Sequence, residues 1–315
     1  MNTTGRNRPP WRRRAMALAT VGLLLAGCGG SDSASTDTTA ALTSPTNTTS
    51  TTTTGPLRPG LGVISYWGSS AEPYRRLPAA SLAVLNPEIG ILAPGSVSTP
   101  VAALPAWQAR SAELRARGVV HLGYVPTGYF RHDCDVVGQC QTWARIEAQV
   151  ATYLRQMPHL DGLFFDETAP TTWDCTVFAT EYARLRALVT RHRRADAPAP
   201  VIAFNPGIAD ACVLDGLQAG ETVVVFEGTA ADHAARDTVV SDVTRQARQR
   251  GLQTWQLVHT ASTLTAAQSV VDRARQADVT WLGISHAGGQ WQANENTWGA
   301  PPPYWNELVR MLETP

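Results

Sequence analysis

Three carboxylates in this sequence stand where a charge is costly. Asp166 and Glu167 close the run D-G-L-F-F-D-E (161–167), and Glu227 follows the apolar run from Val223 to Phe226. An ionised carboxylate beside so much apolar surface is unfavourable unless it is paired or put to use. The use that fits is hydrolysis of a glycosidic bond. That reaction needs two carboxyl groups flanking the scissile bond, one protonated and one ionised. On this reading Asp166 is the nucleophile or the stabiliser of an oxocarbenium ion, Glu227 is the acid/base, and Glu167 tunes or supports them. An N-acetylated substrate could instead supply its own acetamido group as nucleophile. A like-charged neighbour raises a carboxyl pKa, which suits an acid role. Neighbours on a strand point to opposite faces, so Asp166 and Glu167 serve one site only if the strand has ended by Glu167. The competing reading pairs these acids with arginines such as Arg131.

Around the acids, the expected strand ends carry groups suited to sugar hydroxyls: Tyr66, Asn86, Tyr124, Thr127, Tyr129, Arg131, Asn205 and His286. Side-chain amides both donate and accept, although Asn86-Pro87 and Asn205-Pro206-Gly207 could equally cap the helices that follow. Trp67, Trp173, Trp281, Trp291 and Trp298 lie at or near expected strand ends or in the adjoining loops, and flat aromatic faces stack on sugar rings. For Trp67 and Trp281, a place in the barrel core is the alternative. Other chemistries fail. All 26 basic residues are Arg, so Schiff-base, pyridoxal phosphate and P-loop lysine chemistry are excluded. No serine sits in a G-x-S-x-G turn. The group Arg131-His132-Asp133-Cys134-Asp135 reads as a surface loop rather than a metal site. Neither a metal nor a cofactor is expected.

Elements that could bring these residues together recur from residue 60. Short apolar runs at 61–67, 82–86, 119–125, 161–166, 200–205, 222–227, 253–259 and 279–285 read as strands. Several are apolar throughout, as parallel strands covered on both faces should be. Helical spacing marks 104–117, 141–157, 177–194, 232–250 and 264–277. Ile146, Val150, Tyr153 and Leu154 share one helix face, and Phe178, Tyr182, Leu185 and Val189 another. Eightfold strand-helix alternation predicts an α/β fold, a single (β/α)8 TIM-type barrel, with working residues at the C-terminal strand ends. A doubly wound sheet would carry a Gly-rich nucleotide turn, and Gly60-Leu61-Gly62 lacks that spacing.

The rest of the chain reads as an export and anchoring device. Residues 1–27 have a basic start, a short apolar run from Ala15 to Ala26 and the sequence Leu25-Ala26-Gly27-Cys28, which resembles a lipoprotein signal with Cys28 as the lipidated residue. Residues 28–59 are Ser/Thr-rich and too polar to fold, so they form a tether. Residues 60–315 form the barrel. The protein is expected to be extracytoplasmic and to touch the membrane only through its N-terminal lipid. Loss of the five signal arginines leaves 21 Arg against 26 acids, a net charge of −5, which argues against nucleic acid as a partner. In an exported chain the remaining cysteines imply disulfides. The favoured pairs are Cys134–Cys140 and Cys175–Cys212.

Taken jointly, G-Y-V-P-T-G-Y-F-R (123–131), D-G-L-F-F-D-E (161–167), N-P-G (205–207) and F-E-G (226–228) resemble the spherulin 4-like proteins, glycoside hydrolase family 135. The resemblance spans roughly residues 61–290. It implies a (β/α)8 barrel acting as an endo-α-1,4-N-acetylgalactosaminidase on galactosamine-containing exopolysaccharide, with the family's acidic cluster on Asp166, Glu167 and Glu227. The segment Asn86-Pro87-Glu88-Ile89-Gly90 departs from the family's strand 2 motif. A barrel that binds surface glycan without cleaving it is the alternative function.

Overall fold

Apolar runs with both faces to cover have to pair with one another, and here they close a ring. A computed structural model describes residues 58–87, 104–130, 141–169, 175–288 and 296–313. The eight strands are β1 (Gly60–Ser65), β2 (Leu82–Leu85), β3 (Val120–Pro126), β4 (Gly162–Asp166), β5 (Val201–Phe204), β6 (Thr222–Thr229), β7 (Gln253–His259) and β8 (Trp281–Ile284). Each pairs in parallel with the next, and Gly60 of β1 opposite Trp281 of β8 closes the barrel. The surrounding helices are α1 (Leu104–Ala116), α2 (Trp143–Gln156), α3 (Cys175–His192), α4 (Ala230–Ala235), α5 (Asp237–Gln249), α6 (Leu264–Gln276) and α7 (Trp305–Glu313).

Two apolar layers follow from strand alternation. Inside the barrel pack Ile64, Leu82, Val84, Leu122, Phe164, Ala203, Val224, Trp255 and Leu257. Between strands and helices pack the residues in between, such as Ala83, Leu85, Leu163, Phe165 and Phe204, against Ile146, Val150, Tyr153, Phe178, Tyr182 and Leu185. Burial on both faces is why these strands read as unbroken apolar runs rather than alternating ones.

Differences from the sequence reading lie within one helix, at the start of one strand and in an added C-terminal helix. The expected helix 232–250 is broken at Arg236, which separates α4 from α5. Strand 279–285 begins only at Trp281, so Trp281 sits at the N-terminal end of the barrel, away from the functional face. Trp67 is core, packed against Tyr74 and Trp305. Helix α7 was not anticipated. It follows Pro301-Pro302-Pro303 and buries Trp305, Leu308 and Leu312. Cys175, the first residue of α3, is bonded to Cys212 in the turn after β5, with Cα atoms 5.4 Å apart. Cys28, Cys134, Cys140, Arg131, Trp173 and Trp291 lie outside the described residues, as do the expected signal over 1–27 and nearly all of the expected tether over 28–59.

Close approach of β4 to β5 requires glycine at 162. A Cβ there would stand 1.8 Å from the Val201 carbonyl oxygen and 2.7 Å from its nitrogen. Because the obstacle is backbone, the strands themselves would have to separate. Gly162→Ala should cost at least about 3 kcal/mol. Chemical denaturation checks this, and a loss below 1 kcal/mol would show that the strand pair yields easily.

Candidate active site

Strand parity decides which side chains reach the mouth of the barrel. Phe164 points inward, so Asp166, two residues on, does too. The same step leads from Leu122 to Tyr124, from Ala203 to Asn205, from Ile64 to Tyr66 and from Leu257 to His259. Glu227 breaks the rule. Val224 faces inward, yet both Val225 and Phe226 pack outward. The β6–β7 register shifts between Val224 and Phe226, and this bulge, by adding one residue, returns Glu227 to the inside. Without it Glu227 would face the helices.

Glu167 reaches the same site by a different route. β4 ends at Asp166, and Glu167 takes φ 58°. That left-handed turn swings its side chain back over the barrel mouth, where Gly128 N–H donates to Oε2 at 3.0 Å. Thr127, fully buried, holds the turn from below. Its hydroxyl lies 3.0 Å from the Asp166 carbonyl and 2.8 Å from the Glu167 carbonyl.

One amide joins the other two acids. Asn205 Nδ2 donates to Asp166 Oδ1 at 2.7 Å and to Glu227 Oε2 at 2.7 Å. Gly207 N–H donates to Asn205 Oδ1 at 2.9 Å, which fixes the amide with its nitrogen toward the carboxylates. Asp166 Oδ2 accepts from the Tyr124 hydroxyl at 2.6 Å. The Tyr66 ring meets the Tyr124 ring edge-on, with centroids 5.6 Å apart. Glu227 Oε1 accepts from Trp298 Nε1 at 3.3 Å. Among the described residues, no Arg or His forms an ion pair with any of the three acids.

These contacts distribute the protons unequally. Burial raises the pKa of Asp166, and three donors oppose that rise. Glu227 is raised to about 7 by burial and then by the Asp166 charge, with Asn205 and Trp298 working against the shift. Glu167 is raised to about 7 by burial, Asp166 and Glu227, with only Gly128 lowering it. Asp166 has short donors on both oxygens, and donors favour the ionised form. Protons therefore collect on Glu227 and Glu167 while Asp166 carries the charge. Tyr66, Tyr124 and Tyr129 are raised by burial and by these acids, so they remain donors.

The acids open onto a cleft of about 720 Å³. Of the residues expected to meet substrate, Tyr66, Tyr124, Tyr129 and Asn205 line it. Thr127 positions backbone instead. Asn86 does not line the cleft, and His286 does not either. His286 lies past the end of β8 at Ile284. Trp298, singled out as a sugar platform, does line the cleft, but its bond to Glu227 was not foreseen. His259, Asn296 and Thr297 also line it and had no assigned role. For His259 the signal was present, since it stands two residues beyond inward-facing Leu257.

A closed (β/α)8 barrel with a carboxylate-lined cleft at its C-terminal mouth is the class these features define. The model of spherulation-specific family 4, Spherulin4, matches residues 64–312, and the chain belongs to that family. The fold is similar to Sph3 of Aspergillus clavatus, crystallised in complex with GalNAc. The TM-score is 0.57 at 19% identity, over 81% of this chain and 98% of that one. A broad-specificity GH5-4 endoglucanase from Clostridium acetobutylicum matches with TM-score 0.50 and 11% identity, over 80% and 96%. So does a methylaspartate ammonia lyase from Citrobacter amalonaticus, with TM-score 0.50 and 11% identity, over 82% and 57%. A sequence search of curated proteins gave no match. One barrel thus serves hydrolases and a lyase, and chemistry has to be argued from the site.

The raised pKa of Glu167 has a consequence for stability. Its folded value, about 7, exceeds its ordinary 4.5. Between those values the folded state holds a proton that the unfolded state has released, so stability falls as pH rises through that window. Glu167→Gln removes the charge and keeps an acceptor for Gly128. Its Tm should exceed that of the parent by about 2–8 °C at pH 8 and by far less at pH 4. An equal gap at both pH values in calorimetry would contradict this.

Proposed function

We propose that the protein is a glycoside hydrolase that cleaves within an α-1,4-linked N-acetylgalactosamine/galactosamine exopolysaccharide. The observation that carries this reading is the shared amide, Asn205 Nδ2, 2.7 Å from an oxygen of Asp166 and 2.7 Å from one of Glu227. Those two oxygens therefore lie within twice that distance of each other. This spacing suits a retaining mechanism, in which the carboxyl groups are ~5–5.5 Å apart, rather than an inverting one, which needs room for a water between them. Asp166, the anion with a short hydrogen bond on each oxygen, attacks the anomeric carbon. Glu227, protonated below about pH 7, gives its proton to the departing glycosidic oxygen. Glu227 then takes a proton from the water that releases the glycosyl-enzyme ester. Glu167 keeps the cleft acidic and holds a second proton.

Support for the sugar comes from family membership and from the GalNAc bound by Sph3 of A. clavatus. The open, three-tyrosine cleft suits a polymer threaded across the barrel mouth. The signal-like residues 1–27, Cys28 and the polar tether favour an enzyme held by lipid on the outer side of a membrane, where an exopolysaccharide would be met.

The test is reducing-end release from N-acetylated and de-N-acetylated galactosaminan by the purified protein. Asp166→Asn and Glu227→Gln should each lower kcat/KM by at least about 10³-fold with unchanged circular dichroism. Activity of the parent should fall as pH rises through about 7. Near-normal turnover in either variant removes that residue from the mechanism. Polymer bound but recovered uncut by the parent protein would indicate a glycan-binding barrel.

A further inference from the structure

The acid of this site is gripped by two elements, and only one of them is a barrel strand. Asn205, just beyond β5, holds Glu227 Oε2 at 2.7 Å. The opposite oxygen, Oε1, accepts the indole N–H of Trp298 at 3.3 Å. Trp298 belongs to the segment between β8 and α7, far from Glu227 in sequence, and that segment is fastened at several points. Trp298 N–H donates to Asn296 Oδ1 at 3.1 Å. Tyr66 N–H donates to the Trp298 carbonyl at 3.4 Å. Ser285 Oγ, on the inward side at the end of β8, donates to the Thr297 carbonyl at 2.6 Å. The indole meets the His259 ring edge-on, with centroids 6.4 Å apart at 90°. Trp298 is only 9% exposed although it lines the cleft, so it is a built wall rather than a loose surface ring.

A carboxyl held by one donor still turns, because the last torsion of a glutamate side chain is broad and roughly two-fold. Two donors on opposite oxygens remove that freedom. We propose that Trp298 is a positioning residue for Glu227, whose carboxyl its indole N–H locks in the rotation that aims the acid at the glycosidic oxygen. This rests on the reading of Glu227 as the acid. It is a role distinct from ring stacking on a sugar, and the two are separable, since Phe keeps a ring face and lacks the N–H. Misaiming a proton donor by a fraction of its reach lowers the rate without changing what the cleft binds.

Other titratable groups share the space. Asp166 and Glu167 lie beyond β4, Tyr66 beyond β1, Tyr129 beyond β3 and His259 at the end of β7. Asp166 acts on Glu227 as a charge, and burial keeps His259 low and neutral. Donation from Trp298 favours the ionised form of Glu227, so loss of the N–H should move its titration upward.

The experiment compares the full protein with Trp298→Phe. A second variant replaces the Trp298 indole by benzothiophene, through an unnatural amino acid, which preserves shape and packing and lacks the donor. Galactosaminan turnover across pH and the ¹³C carboxyl titration of Glu227, assigned with Glu227→Gln, are both recorded. The expected result in both variants is a roughly tenfold lower kcat, KM within about threefold, and the alkaline limb and the ¹³C midpoint higher by about half a unit or more. A limb and midpoint that stay in place in the benzothiophene protein overturn the proposal, whatever happens to kcat. If the parent cleaves no galactosaminan, the reading of the enzyme has failed, and the ¹³C titration still decides whether the indole holds Glu227.

Discussion

A single side-chain amide, Asn205, keeps two buried acids within reach of one another, and much of the barrel serves to make that contact. Three adjacent strands must deliver Asp166, Asn205 and Glu227 to one height. Gly207 N–H must hold the amide carbonyl so that its nitrogen faces the acids. The neighbouring loops are tied by the Cys175–Cys212 bridge. Burying carboxyl groups costs several kcal/mol apiece unless donors replace water. Here the donors are unevenly supplied, generous to Asp166 and sparse for Glu167. The uncompensated part of the cost appears as the raised pKa values of Glu227 and Glu167. An acid near 7 beside an anion is the result.

Much of this was legible in the sequence, for a definite reason. Parallel strands covered on both faces must be apolar throughout, so the eight runs announced themselves, and a charged residue ending such a run was conspicuous. Asp166 and Asn205 follow directly from parity. Glu227 did not. Its run, V-V-V-F-E-G, contains nothing that marks a bulge, and simple alternation counted from Val224 would have sent Glu227 outward. The bulge exists because β6 carries one residue more than β7 can match. Phe226 finds its place outside, edge-on to His233 at 5.0 Å. Trp298 lies beyond any pattern of this kind, since only the folded β8–α7 segment places it beside an acid 71 positions earlier.

Strain marks the same mouth of the barrel. Gly128, Tyr129 and Phe130 take φ values of 63°, 57° and 54°, Glu167 takes 58° and Thr260 takes 61°. Three left-handed residues in succession are uncommon, at roughly 1–2 kcal/mol for each that is not glycine. What holds the turn is visible. Phe130 stacks on Trp143 at 6.4 Å, and the Arg184 guanidinium from α3 lies over that indole, 3.8 Å from its centroid. The turn in its place presents Gly128 N–H to Glu167 and Tyr129 to the cleft. A relaxed backbone would do neither. Stability from the outer helical layer is thus drawn on to keep the mouth of the barrel in a shape the local chain disfavours.

Because the barrel is shared with a lyase as well as with hydrolases, the division of labour among the acids has to come from their contacts. Desolvation acts on all three and so cannot distinguish them. Donor number and length can. Asp166 has a hydrogen bond of 2.6 Å or 2.7 Å on each oxygen, which is how a protein stabilises a permanent anion. Glu227 has one such bond and one long bond, which leaves its proton at hand near neutral pH. The charge on Asp166 ties the two titrations together. On the mechanism we propose, attack by Asp166 on a sugar carbon would weaken the field that holds the proton on Glu227, which would make Glu227 a better-stabilised carboxylate at the step that requires a base. The asymmetry of the donors supports the proposed division of roles, and the shared amide holds the two acids close enough for the charge on Asp166 to act on Glu227.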